Sequence, residues 1–231
     1  MPHSGRSVPG VIAHIPRPSG TAAPTSAGPA ADPEADPELD EALWRAWQAI
    51  DPPETFRVEI VEGLIEMWRV GRPFTHALTA NRLRSRLAAH LAGGPYAPYM
   101  AMYVVGGYQA WAPDVLLAPD DLTGHAARGE LGIRASSVPL VAEVVAPGPQ
   151  DVARDRVRKR RAYARAGIPV YVIVDDYDGH GTVSVLTGPV PDEARYAGEV
   201  RAPYGTAVVV PEGPARGFVI GEQVTGPARV T

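Results

Sequence analysis

Two acids and a lysine in one stretch of this chain have the types and spacing to do chemistry. Asp114 follows Pro113 at the start of a short apolar segment, Val115-Leu116-Leu117. Glu143 interrupts a second apolar segment at residues 139–145, and Lys159 lies in the basic segment that follows. Two carboxylates on neighbouring strands, with an ammonium on the next helix, can hold a divalent metal beside a phosphate. Each residue also has a plainer reading. An aspartate after proline is a common turn residue, a glutamate is ordinary on the solvent side of a strand, and a lysine can snorkel or pair with Asp155. Glu143 is the hardest to explain away, because in a strand buried on both faces an ionised carboxylate needs a cation or several donors.

The helix expected at residues 151–166 must position Lys159. At about 100° per residue, Arg154, Arg158, Arg161 and Arg165 fall on one stripe, which reads either as a solvated face or as a row of phosphate contacts. Asp155, Lys159 and Tyr163 fall on another face with Ala162 and Ala166. That second face is the more apolar and should look toward the sheet. Of 22 basic residues only Lys159 is lysine. An inward lysine among arginines suits a compact, tunable point charge.

The rest of the chain supplies the frame. Its 231 residues, 45% of them hydrophobic, are enough for one domain with a real core. Residues 1–35 are rich in Pro, Gly, Ser and Ala and are expected to be a disordered tail, leaving residues 36–231 as the folded domain. Asp36-Pro37 looks like a helix start, with Leu39, Leu43, Trp47 and Ile50 at helical spacing. A hairpin turning at Glu62-Gly63 follows, then a helix at residues 75–91, strands at 100–105 and 112–117, and a loop to residue 137. After the central strand and the basic helix, Gly167-Ile168-Pro169 stops the helix and residues 170–175 read as a buried strand. Strands at 182–186, 207–210 and 217–220 complete the chain. One β-α-β crossover among hairpins argues for α/β with a mixed sheet. There is no cysteine, no apolar run of the roughly 18 residues that a membrane helix needs, and no secretory signal. A cytoplasmic protein is expected. Net charge is −4, so any nucleic-acid contact must come from a local patch.

These residues carry a resemblance. VEIVEGLIEM (58–67), His76 near a helix start, APDVLL (112–117), LVAEVVAPGPQD (140–151) and DRVRKRRAYARAGIPVYVIVD (155–175) are similar to the Uma-two family of restriction-endonuclease-like proteins, in the PD-(D/E)XK nuclease superfamily. The resemblance spans about residues 56–186. It implies a mixed β-sheet flanked by helices, metal ligation by Asp114 and Glu143, and Lys159 as their positively charged catalytic partner. The superfamily's lysine normally lies two residues after the acid, a position held here by Val145, and in this family it appears shifted onto the following helix. Ala146 stands where related sequences usually carry serine. Glu59 and Glu62 match acidic positions of the family's hairpin and are candidate additional acids. Oxygen ligation suits Mg²⁺ or Mn²⁺ rather than zinc.

The expected activity is a metal-dependent endonuclease acting on nucleic acid, DNA first, with Arg154, Arg158 and Arg161 as candidate phosphate contacts. A double-strand cut with one site per chain would call for a homodimer. The alternative is a non-catalytic module of the same fold that binds nucleic acid or protein. A small-molecule α/β enzyme ranks last, because no G-x-G-x-x-G, P-loop or G-x-S-x-G motif is present.

Overall fold

The computed structural model describes residues 37–69, 71 and 73–229. The tail expected at residues 1–35, and Asp36, lie outside the described residues. In chain order the elements are α1 (Pro37–Gln48), β1 (Phe56–Val61), β2 (Leu64–Arg69), α2 (Phe74–His90), β3 (Tyr96–Tyr99), β4 (Val104–Gly106), β5 (Gln109–Trp111), β6 (Val115–Pro119), β7 (Ile133–Arg134) and β8 (Leu140–Val144). There follow α3 (residues 149–165), β9 (Val170–Asp175), β10 (Thr182–Val190), β11 (Arg195–Pro203), β12 (Val208–Val209), β13 (Val219–Ile220) and α4 (Glu222–Thr225). The architecture is mixed α/β.

Two sheets dominate. The larger runs β11-β10-β9-β8-β6-β3 and the smaller β2-β1-β5-β4-β7. Strands β8 and β9 are parallel, which requires the crossover that α3 provides. The other pairings of the larger sheet are antiparallel. The β1–β2 turn has positive φ at both Glu62 (51°) and Gly63 (72°), the primed geometry that matches strand twist.

Helix α2 lays Ala80, Leu83 and Leu87 on one face of the larger sheet, against Val115, Leu117, Leu140, Ala142 and Val144. Burying each such leucine contributes about 1.5–3 kcal/mol. Helix α3 lies on the opposite side, where its Ala162, Tyr163 and Ala164 join Val141, Val145, Tyr171 and the smaller sheet's Val61, Val104 and Trp111. It ends in a Schellman closure: Ile168 N–H reaches Tyr163 O at 3.1 Å and Gly167 N–H reaches Ala164 O at 3.0 Å. Gly167, at φ 69°, takes the left-handed position that closure needs.

Three expectations shift. Helix α1 buries Trp44 and Trp47 rather than Leu39 and Ile50, because the indoles pack 5.0 Å apart and Trp47 Nε1 donates to Val58 O at 3.0 Å. Where one strand was expected at 100–105, the chain forms β3 and β4 with a bend between. Pro98 argues against a strand there, yet β3 is an edge strand and Pro98's missing N–H is tolerated. Strand β11, which has no counterpart among the expected strands, pairs with β10 along nearly its whole length.

Candidate active site

Strand alternation sets the faces. Along β8, Leu140, Ala142 and Val144 enter the α2-side core while Val141 enters the α3-side core, so Glu143 faces α3. The antiparallel register pairs Val115 with Ala142, and one step outward it brings Asp114 across from Glu143. Asp114 Oδ2 accepts from the Val144 N–H at 2.8 Å, and its Oδ1 lies 3.0 Å from His76 Nε2 on α2. From the smaller sheet, Val58 and Ile60 enter the core beneath α1, so Glu59 points the other way, into the interior between the sheets. Its Oε1 accepts from the Ala112 N–H.

Lys159 joins these acids. Its Nζ lies 2.8 Å from Glu143 Oε1 and 2.9 Å from Glu59 Oε1. Tyr163, one turn along, donates to Glu143 Oε1 at 2.6 Å. Relative exposure is 1% for Lys159, 0% for Glu59 and 3% for Glu143, so one ammonium is shared by two acids out of water. Lys159 therefore points inward, as its face of the helix required.

The helix reaches this arrangement through an irregularity. Its first part is Pro149–Ala153 and its last Lys159–Arg165, and Arg154–Arg158 between them is a π turn. Lys159 N–H bonds Arg154 O, five residues back. Tyr171 on β9 donates its hydroxyl to Asp155 O in the same turn at 2.7 Å. The wider turn alters the phase computed for a regular helix. Arg154, placed by that projection on the arginine stripe, is only 4% exposed. It bonds Asp155 Oδ1 at 2.9 Å and Asp151 Oδ1 at 2.9 Å, and its guanidinium sits 5.1 Å from the Trp68 ring centroid.

Burial dominates the electrostatics. It pushes the Glu143 carboxyl up to about 8; Lys159 opposes the shift, and the charge of Asp114 adds to it. Glu59 is also raised, by burial against the pull of Lys159 and Arg154. Burial would lower Lys159, but Glu143 and Glu59 outweigh it and hold the amine above its ordinary value, protonated. With one cation for two acids, the cluster favours an extra proton or further positive charge.

The remaining arginines of α3 meet carboxylates too. Arg158 bridges to Glu66, Arg161 and Arg165 reach Glu62 at 2.5 and 2.8 Å, Arg156 reaches Asp175 at 2.5 Å and Arg160 reaches Glu199 at 2.9 Å. Every basic residue of the helix is thus ion-paired. Glu62 stands with Arg161 and Arg165 at the hairpin turn, apart from the Glu59–Lys159–Glu143 contacts.

The donor set fits a hard divalent cation. Asp114 and Glu143 offer carboxylate oxygens, both donors to Glu143 use Oε1 alone, and Glu59 Oε2 is buried with no hydrogen-bond partner. Among the described residues no three Asp, Glu or His side chains stand together as a ready metal cage. Asp114 and Glu143 would need completing by water or a backbone carbonyl.

The mixed sheet thus sets Asp114 and Glu143 on adjoining strands, with Lys159 on the helix that crosses from β8 to β9. The crystal structure of a "putative nuclease belonging to DUF820" from Anabaena variabilis ATCC 29413 matches over 79% of this chain and 96% of that one, with a TM-score of 0.59. At 13% identity the likeness is one of fold. No curated protein sequence matches the chain. The chain belongs to the Uma2 (Uma-two) family, described as "Putative restriction endonuclease", whose profile matches residues 44–216. Among the described residues no helix is long and apolar enough to cross a membrane.

Sequence reasoning left three participants unassigned. Tyr163 was visible only as part of the Asp-x3-Lys-x3-Tyr spacing, His76 only as a family match, and Trp68 carried no signal beyond its place in a strand.

Proposed function

We propose that the chain is a metal-dependent endonuclease that hydrolyses phosphodiester bonds in nucleic acid, with DNA as the first substrate to test. The observation that supports this most is the buried Lys159 ammonium, held at 2.8 and 2.9 Å by Glu143 and Glu59, beside an aspartate bonded to the backbone that follows Glu143. Asp114 and Glu143 would hold Mg²⁺ or Mn²⁺, which when bound supplies Lewis acidity and a more acidic water.

The chain's own groups do the rest. Lys159, protonated, acts as a positive charge for the phosphate oxygen on which negative charge develops, and not as the base. Glu59 fixes that ammonium from the opposite sheet. Tyr163 and Lys159 together hold Glu143 Oε1, which orients the carboxylate, and His76 with the Val144 N–H orients Asp114. Arg154 lies close enough to the centre to add positive charge there, whereas Arg158 and Arg161 would have to exchange Glu66 and Glu62 for phosphate. A double-strand cut would engage two copies of the chain.

The test is cleavage of plasmid, linear, single-stranded and branched DNA, and of RNA, with Mg²⁺, Mn²⁺ or chelator. Metal-dependent cutting by the wild type, absent in Lys159→Ala, is expected. Full activity in Lys159→Ala would overturn the mechanism. The complete internal pairing of the α3 cations, which leaves them less available to phosphate, favours the second reading, a non-catalytic module of the same fold, and within it protein over nucleic acid as the partner. Calorimetry showing no heat with either ion at millimolar concentration would favour that module.

A further inference from the structure

Resting on the nuclease reading, we infer that Trp68 is a nucleobase-stacking platform beside the Lys159 centre, and that the strand it receives is unpaired. Trp68 lies on β2, an edge strand of the smaller sheet, and is half-buried. It belongs to none of the three apolar clusters and has no aromatic partner among the described residues. Its ring instead meets two cations of the site, Arg154 at 5.1 Å and Lys159 Nζ at 5.9 Å from the centroid. The other tryptophans, Trp44, Trp47 and Trp111, are buried and packed against aromatic neighbours. Of the four tryptophans, Trp68 alone stands outside the three apolar clusters and the aromatic ring pairs of the described residues.

A second observation points the same way. Duplex binding without sequence reading draws on free cations that release counterions from many phosphates. Here all the basic residues of α3 are ion-paired within the protein, and the chain carries a net charge of −4. At the α3 site backbone neutralisation is therefore a weak handle, and contact with a base face must carry more of the binding there. Every base offers such a face to an indole, but only when it is out of the duplex stack. A base on Trp68 sets its flanking phosphate near Arg154 and Lys159, which is where the reaction needs it.

The experiment titrates the full-length chain, without divalent ion, against a labelled DNA oligonucleotide of about 12 nucleotides, single-stranded or annealed to its complement. The single strand is expected to bind more tightly. Trp68→Ala should weaken that binding by about tenfold to a hundredfold, with the slope of log affinity against log salt unchanged because no ion contact is lost. Trp68→Phe, which keeps a ring over Arg154, should recover most of the affinity and also shows that the fold survives. Duplex binding as tight as single-strand binding, or unchanged affinity in Trp68→Ala, would overturn the platform. So would absence of binding to either form. Cleavage is scored separately with Mg²⁺. A single-strand preference lost in Trp68→Ala without any cutting keeps the platform and removes the nuclease. Duplex cutting at wild-type rate by Trp68→Ala does the reverse.

Discussion

The two faces of the larger sheet are made by the same three strands and differ in almost everything else. Toward α2, β6, β8 and β9 present Val115, Leu117, Leu140, Ala142, Val144, Val170, Val172 and Val174, all aliphatic and all nearly inaccessible. Toward α3 they present Glu143, Tyr171 and Asp175 among apolar neighbours, and the helix answers with Lys159, Tyr163 and Arg156. Because side chains alternate, one backbone serves both. Buried charges are expensive to hold, and the uniform packing on the α2 side offsets what the α3 side costs. The aliphatic face of these strands therefore contributes stability without carrying any group of the candidate site, and substitutions can test that.

The largest effect is expected at Lys159. Lys159→Ala should reduce cleavage to background while leaving metal binding largely intact, since lysine is not a ligand. It also leaves two buried acids without their cation. Urea unfolding at pH 8 should show a loss of about 3–5 kcal/mol, smaller at pH 5 where those acids can take up protons.

Leu83→Ala, on the opposite face, should cost about 2–5 kcal/mol by the same assay, with kcat per folded molecule unchanged. A kcat defect there would break the division between faces.

The pH dependence sharpens the comparison. Glu143 titrates in the folded chain at about 8 against 4.5 for the ordinary carboxyl, so between those values the folded state binds the extra proton. The stability of the metal-free protein should therefore fall as pH rises from 5 to 8. Glu143→Gln, which cannot ionise, should flatten that decline in a series of urea titrations.

The smallest effect belongs to Arg158→Ala. Its bridge to Glu66 lies near the surface, and its loss should change stability by about 0–1 kcal/mol. The slope of log affinity for DNA against log salt should change by less than about 1, since the arginine is already paired.

What the sequence revealed of this site depended on whether a residue's position follows from local spacing. Glu143 and Asp114 sit in short apolar segments that read locally as strands, whereas their alignment across from each other needed the register. Lys159 was legible because its helix face is richer in alanine than the arginine stripe. Glu59 was noticed only as a family acid, because meeting Lys159 requires knowing that the hairpin's sheet lies over α3, a tertiary fact with no local signature. Arg154 went to the wrong stripe because a regular projection assumes regular hydrogen bonding, and nothing in Arg154–Arg158 announces the π turn. Among the strands, β3 was hidden by Pro98 and β11 by its mostly exposed residues, which carry no apolar alternation. Both are edges, where sequence constraints are loosest.

The π turn has a consequence for how this helix can change in length. It amounts to one residue carried in excess of a regular spiral, held in place by the Lys159 N–H to Arg154 O bond and the Tyr171 hydroxyl. Removing one residue from 154–158 would let the ladder close as an ordinary helix with the parts before and after it kept nearly in phase, because the wide turn already absorbs the rotation of about 100° that an extra residue imposes. The flanking Asp151 and Lys159 would keep their relative angular positions, and the change would fall on the side chains inside the turn, among them the buried Arg154 and Asp155. The segment should therefore tolerate shortening by one residue far better than a regular stretch of helix would.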